Sequence, residues 1–231
     1  MAKDPSAWIV GDHGPLEQHA DNIWSVEAKL KGMGLKRRMV VVRRNGDLLI
    51  HNAIALRDSD MERLEDLGTV RWIVVPNHWH RMDCARYKRR YPEVTVVCPG
   101  GSRRKVAKVV AVDQNYADFE DDEVLGLSHL DGMKGLEGVV RVRSADGTTL
   151  VFNDVIFNVP RAEGGFLLRL MGSSGGPKVT RIMRMFGIKD RKALRANLEA
   201  LHAEHAPVRV VPGHGHILTE PDGLLQIASG L

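Results

Sequence analysis

Apolar residues fall along the chain in short runs of strand length, separated by turn signals early on and by helical spacing later. Residues 21–30 (DNIWSVEAKL), 37–54 (RRMVVVRRNGDLLIHNAI) and 70–76 (VRWIVVP) are rich in valine and isoleucine, which suit a pleated, half-buried surface. Within the second run, Asn45-Gly46-Asp47 is a tight-turn signal that predicts a hairpin. Between the second and third, residues 57–68 (RDSDMERLEDLG) predict a helix, with Ser59 and Glu62 at capping-box spacing and Gly68 as its stop. Residues 84–92 (CARYKRRYP) predict a short basic helix closed by Pro92, and residues 94–99 the strand after it. A second hairpin is expected around Asp146-Gly147 within 138–159. The last third reads as helical over 178–188 and 190–205. Asp190 is placed to cap the second of these helices, and Leu194, Leu198 and Leu201 form its apolar stripe. A strand over 208–215 and a terminal helical stretch follow. Strands that dominate early, with helices interspersed, predict a mixed sheet-and-helix sandwich.

Three segments share one arrangement, in which an apolar strand runs out and a metal-binding side chain follows at once. They are VVPNHWH with His78 and His80, LVFND with Asp154, and VVPGHG with His214. Strand ends are rigid and the loops beyond them exposed, so such positions can converge on one point. Histidines at i and i+2 on extended backbone point to one side and can reach one ion. Imidazole with carboxylate suits zinc, iron or manganese better than calcium. Each residue also has a plainer reading: His-x-His arises by chance, and His214 or Asp154 alone can serve a turn. The ordered set of three is what points to metal.

The order of these segments resembles the metallo-β-lactamase superfamily, from about Ile23 to Ile217. The resemblance implies an α/β (α+β) fold, a four-layer αββα sandwich of two mixed sheets flanked by helices, with metal at one edge of the paired sheets. It matches His78 and His80 to the first two histidines of His-x-His-x-Asp-His, Asp154 to the bridging Asp, and His214 to the His of a PGHG-like turn. The chain departs from the motif at Met82, which stands where the Asp belongs, and at Asp83, which stands where the next His belongs. Asp83 then either ligates or takes a proton, and Asp83 and Asp154 are the expected catalytic carboxylates. The middle histidine is matched by His129 on spacing, or by Met133 on local pattern. Cys84 is either a thiolate ligand or a buried residue at a helix start. His51, where the superfamily often has Asp, is a candidate to orient a ligand or a half-exposed strand end. One or two zinc ions are expected first, with iron or manganese as alternatives.

Composition narrows the picture modestly. With 231 residues, 43% of them hydrophobic, and no repeat, low-complexity block or linker, the chain is expected to form a single domain over 1–231. No apolar run is long enough to span a bilayer, and MAKDPSAWIV lacks the apolar run of a signal peptide. Two cysteines, Cys84 and Cys98, are no disulfide framework and fit a reducing, cytoplasmic setting. A net charge of +4 permits an acidic partner without demanding one. Basic residues gather at Arg81, Arg86, Lys88, Arg89 and Arg90 and again at Arg103, Arg104 and Lys105, either to attract an anionic small molecule or simply as a solvated face. Only Tyr87 and Tyr91 lie among them, which argues against nucleic acid. The loop MGSSGGPK (171–178) is either a flap over the site or a connector. The expected function is metal-dependent hydrolysis of an ester, amide or phosphoester by an activated water. Two alternatives stand: a degenerate member that keeps the fold as a binding or structural module, and an iron oxidoreductase working with a separate flavin partner.

Overall fold

Alternation along the early strands carries apolar side chains on both faces, and this sets the order of the layers. In the computed structural model, which describes residues 4–30, 32, 34–170 and 172–231, strands β1 (Glu17–Ala20), β2 (Ile23–Leu30), β3 (Leu35–Arg44) and β4 (Asp47–His51) form an antiparallel meander. Helix α1 (Asp58–Glu65) leads to β5 (Thr69–Val74), α2 (Cys84–Arg90) to β6 (Thr95–Cys98), and α3 (Arg103–Val106) to β7 (Gln114–Asn115). These last strands add in parallel and complete a seven-stranded sheet in sequential order. The β3–β4 turn is built on Asn45 (φ 54°) and Gly46 (φ 85°), the left-handed pair that the tight-turn signal requires.

The chain continues through β8 (Leu125–His129), β9 (Gly138–Ser144), β10 (Gly147–Val151), β11 (Phe157–Val159), α4 (Phe166–Leu170), β12 (Gly176–Lys178), α5 (Arg191–His205), β13 (Arg209–Val211), β14 (His214–Gly215) and α6 (Gly223–Ser229). Strands β13-β10-β9-β8 form a four-stranded sheet, and β12-β11-β14 a separate three-stranded one. Met39 and Val41 of β3, with Leu48 and Ile50 of β4, pack outward under Met61 and Leu64 of α1 and Tyr87 of α2. Their alternates, Val40, Val42 and Leu49, pack inward against Val140, Val142, Val151 and Val211 of the four-stranded sheet. That sheet turns Val139, Leu150 and Val210 to Leu194 and Leu198 of α5 and Leu224 of α6. The four layers are therefore α/β/β/α, as expected.

Three details differ from expectation. The second half holds two sheets rather than one, because the expected strand 208–215 is broken at Pro212, which has no N–H for a ladder. Its two pieces, β13 and β14, join different sheets. Ser59 does not cap α1: the helix starts on the Arg57 carbonyl, which accepts from the N–H groups of Asp60 and Met61, so Ser59 lies inside the first turn. The helix expected over 178–188 is shorter, since Lys178 belongs to β12 and the Thr180 hydroxyl accepts from the Met183 N–H. Met183–Gly187 then forms a π turn, closed by the Ile188 N–H on the Met183 carbonyl. Helix α1 ends at Glu65 with Asp66 as its C-cap, and Gly68 lies in the turn beyond, where a Cβ would lie 2.2 Å from the Gly46 carbonyl oxygen.

Candidate metal centre

Each side chain of the centre is placed by a strand end and fixed by a hydrogen bond to its neighbour. Beyond β5 the chain leaves extended geometry: the Asn77 side-chain oxygen accepts from the N–H groups of Trp79 (2.9 Å) and His80 (3.2 Å). In this turn the i, i+2 rule no longer holds, and His78 and His80 part. Asp154 follows β10, where the N–H groups of Asn153, Asp154 and Val155 all donate to the fully buried Glu137 carboxylate at 2.9–3.0 Å. Asn77 Nδ2 donates to Asp154 Oδ2 at 2.8 Å and so ties the first two segments together. His214 opens β14 beside Phe157 of β11. Gly215 (φ 89°) lets that short strand pass so near β11 that a Cβ would sit 2.1 Å from the Asn158 carbonyl oxygen.

Three donor atoms meet. His80 Nε2 and His214 Nε2 each lie 3.0 Å from Asp154 Oδ1 and 3.3 Å from one another. The outer ring nitrogens fix the tautomers. His214 Nδ1 lies 2.6 Å from the Lys36 carbonyl, which only accepts, so Nδ1 carries the proton. His80 Nδ1 lies 3.1 Å from Asn52 Oδ1, and Asn52 is oriented by its own amide donating to the Arg38 carbonyl (2.8 Å). With the rings neutral, both Nε2 lone pairs face a carboxylate oxygen. Burial lowers the His80 pKa and so favours the neutral ring. Burial alone would raise the Asp154 carboxyl; positive charge and N–H donation from protonated imidazoles would hold it well below the usual carboxylate range, a part that a cation plays when the rings are neutral. Three electron pairs converging without a proton between them repel unless a cation lies among them. Two imidazole nitrogens and one carboxylate oxygen, each braced by an outer hydrogen bond, form a donor set that suits a zinc-type ion with an open position. Among the described residues, this is the one such grouping of three.

The other candidates lie elsewhere. His78 meets Lys105 Nζ through Nε2 (3.1 Å) and faces Ser102 Oγ (3.5 Å), with its ring against Trp79. Asp83 is drawn into a buried pair of salt bridges with Arg37 and Arg86 and accepts the Ala55 N–H (3.2 Å), so both of its oxygens are engaged away from the three converging donors. His129 ends β8 with Nε2 3.0 Å from Asn115 Oδ1. His51 is buried without a partner for Nδ1, and burial, helped by neighbouring His80, brings its pKa down to about 3. The residue that orients His80 is the next one, Asn52. Cys84 keeps its proton, since burial pushes the thiol up to about 12, and its Sγ–H donates to the Arg81 carbonyl. The basic residues of α2 are engaged too: Arg89 with Asp4 and Arg90 with Glu65, while Lys88 donates to the Val94 carbonyl. Asn52, Asn77 and Glu137 were not anticipated. The one local sign was asparagine directly after an apolar strand, at Asn52 (φ 59°) in LLIHN.

A cavity of about 400 Å3 opens on His80, Asp154 and His214. Ser173 lies in its wall, so part of the glycine-serine loop is built into the site; Met171 of that loop lies outside the described residues. No helix among the described residues is long and apolar enough to cross a membrane.

Fold and donor set together define a metallo-β-lactamase fold, and solved structures agree. A metallo-β-lactamase from Pontibacter korlensis matches with a TM-score of 0.59 at 14% identity, over 94% of this chain and 99% of that one. FIM-1 from Pseudomonas aeruginosa, solved in a mono-zinc form, matches with a TM-score of 0.61 at 12% identity, over 97% and 98%. VMB-1 matches with a TM-score of 0.62 at 12% identity, over 93% and 96%. No protein-family model and no curated protein sequence matches the chain.

Proposed function

We propose that the protein is a metal-dependent hydrolase that uses one divalent ion, zinc first among the candidates, held by His80, Asp154 and His214. The observation that carries this reading is the convergence of two imidazole nitrogens on one carboxylate oxygen at the mouth of a cavity. When bound, such an ion lowers the pKa of water toward neutrality and polarises a carbonyl. The chain supplies the rest. Asn52 and the Lys36 carbonyl hold the imidazoles in the ligating tautomer, and Asn77 with Glu137 hold Asp154 in place. One ion is favoured over two because His78, Asp83 and His129 are each committed to other partners. The buried, unpaired Cys84 and Cys98 fit a cytoplasmic site of action.

The test is metal per chain by elemental analysis of tag-free protein, beside a His80→Ala/His214→Ala variant, followed by an ester and amide hydrolysis screen. About one equivalent of zinc, lost in the variant together with turnover, is the expected result. Metal content that is substoichiometric after reconstitution and equal in the variant would overturn the reading in favour of a non-catalytic module.

A further inference from the structure

We infer that the substrate is an uncharged carboxylic ester bearing an apolar chain, with the chain seated in the cavity above the three donors. The inference rests on the hydrolase reading and adds the substrate class. Most of the cavity wall is hydrocarbon, thioether and aromatic: Trp79, Met82, Phe157, Leu168, Ile182 and Met183 carry much of it. Its polar groups are the metal-centre trio and the hydroxyl residues Ser173 and Thr180. Among the described residues that line it there is no lysine or arginine. The charge present is the Asp154 carboxylate, so a phosphoester or free carboxylate would meet no guanidinium or ammonium group there. A cavity of this size, apolar with a few convergent polar groups at one end, has the character of a ligand site for a molecule with a polar reacting end and an apolar remainder.

The surface around the mouth extends the same chemistry. Ten large hydrophobic side chains are exposed among the described residues. Seven of them, Trp79, Met82, Phe166, Leu170, Ile182, Met185 and Phe186, stand on the segments that wall the cavity. Helix α4 turns Leu168 inward and leaves Phe166 and Leu170 out, and the π turn does the same with Met183 against Met185 and Phe186. Such clustering beside a catalytic-type centre provides a continuous apolar path for a chain longer than the cavity itself. In the reaction the oxygen of water bonds to the acyl carbon and the acyl carbon–oxygen ester bond breaks. One water proton leaves on the alcohol and the other with the carboxylic acid.

Binding is tested apart from turnover. Affinities of 2-butanone, 2-decanone and octyl phosphate are measured by calorimetry on chelator-treated full-length protein, with Met82→Lys and Ile182→Lys beside it. The ketones present a carbonyl that water cannot hydrolyse. Burial of each methylene gains up to about fourfold in affinity, so 2-decanone should bind more than a hundredfold tighter than 2-butanone and tighter than octyl phosphate. Either lysine, placed at a partly exposed position of the mouth, should weaken 2-decanone at least tenfold. Equal binding of the two ketones, preference for the phosphate, or no effect of either lysine would overturn the proposal. With zinc-loaded protein, p-nitrophenyl acetate against octanoate and ethyl acetate against octyl acetate then show which side of the ester carries the chain. A rise of kcat/KM with length in one series is expected, and turnover with no rise in either overturns the proposal. Absence of both zinc uptake and turnover would sink the hydrolase reading while the ketone affinities still decide the cavity.

Discussion

Asn52 does at the scale of one residue what His51 was expected to do. It sits in the left-handed region and offers Oδ1 to His80 Nδ1. Asn52→Gly keeps that backbone geometry and removes the acceptor. Loss of such a supporting bond typically costs 10- to 100-fold in metal affinity, and competition with a chromogenic chelator should show a fall of that order with His80 still present. His51 itself makes a different prediction. Its folded pKa of about 3 lies below the ordinary histidine value, so between the two the unfolded chain binds more protons. Stability is then complete above the unfolded pKa and is lost as pH falls toward the folded one. Urea unfolding from about pH 7 down to about pH 4.5 should show about 2 kcal/mol of loss that His51→Asn does not show; parallel curves for the two proteins would refute this. His80, Asp154 and His214 are legible in the sequence as a converging set because each follows an apolar strand. Asn52 and Glu137 are not, because each acts through a bond to a residue distant in the chain that no local pattern marks.

Helix α2 shows how an element can hide a residue's role. Its first turn carries the bridge from Arg86 to Asp83, and Asp83 in turn pairs with Arg37 of β3, so the aspartate docks the helix onto the first sheet. Removing one partner of a buried pair strands the other charge and costs about 3 kcal/mol or more. Asp83→Ala should therefore lower the melting temperature markedly and leave metal per folded chain unchanged. Parallel loss of metal would return Asp83 to the site. These roles cannot be told apart from the residues alone, since a ligand and a salt-bridge partner look alike beside Cys84 and Arg86. Elements with continuous apolar runs bounded by turn signals, such as β3 and β4, are legible from their pattern. The π turn at Met183–Gly187 and the split between β13 and β14 are not, because one hydroxyl bond and one missing N–H decide them.

Across the whole molecule the candidate metal centre joins all three sheets: His80 follows the seven-stranded sheet, Asp154 the four-stranded one, and His214 belongs to the three-stranded one. A ligand that binds only the folded state at a hundred times its dissociation constant stabilises by about 2.7 kcal/mol. Zinc at that excess should raise the melting temperature by several degrees, EDTA should reverse the rise, and His214→Ala should abolish it. A thermal transition indifferent to both zinc and EDTA would mean that no ion bridges the sheets. The layer order itself was legible, because paired apolar faces on the strands and single apolar stripes on the helices leave little choice but to stack.

The distances along the chain between the three donors carry one more consequence. His80 and Asp154 are 74 residues apart, Asp154 and His214 a further 60. Contacts so remote in sequence form late in folding, after the loops between them have closed. During synthesis a growing chain holds two of the donors at most until His214 has left the ribosome. Capture of an ion by the three donors would then mark completion of the fold, and a chain truncated before β14 should emerge without it.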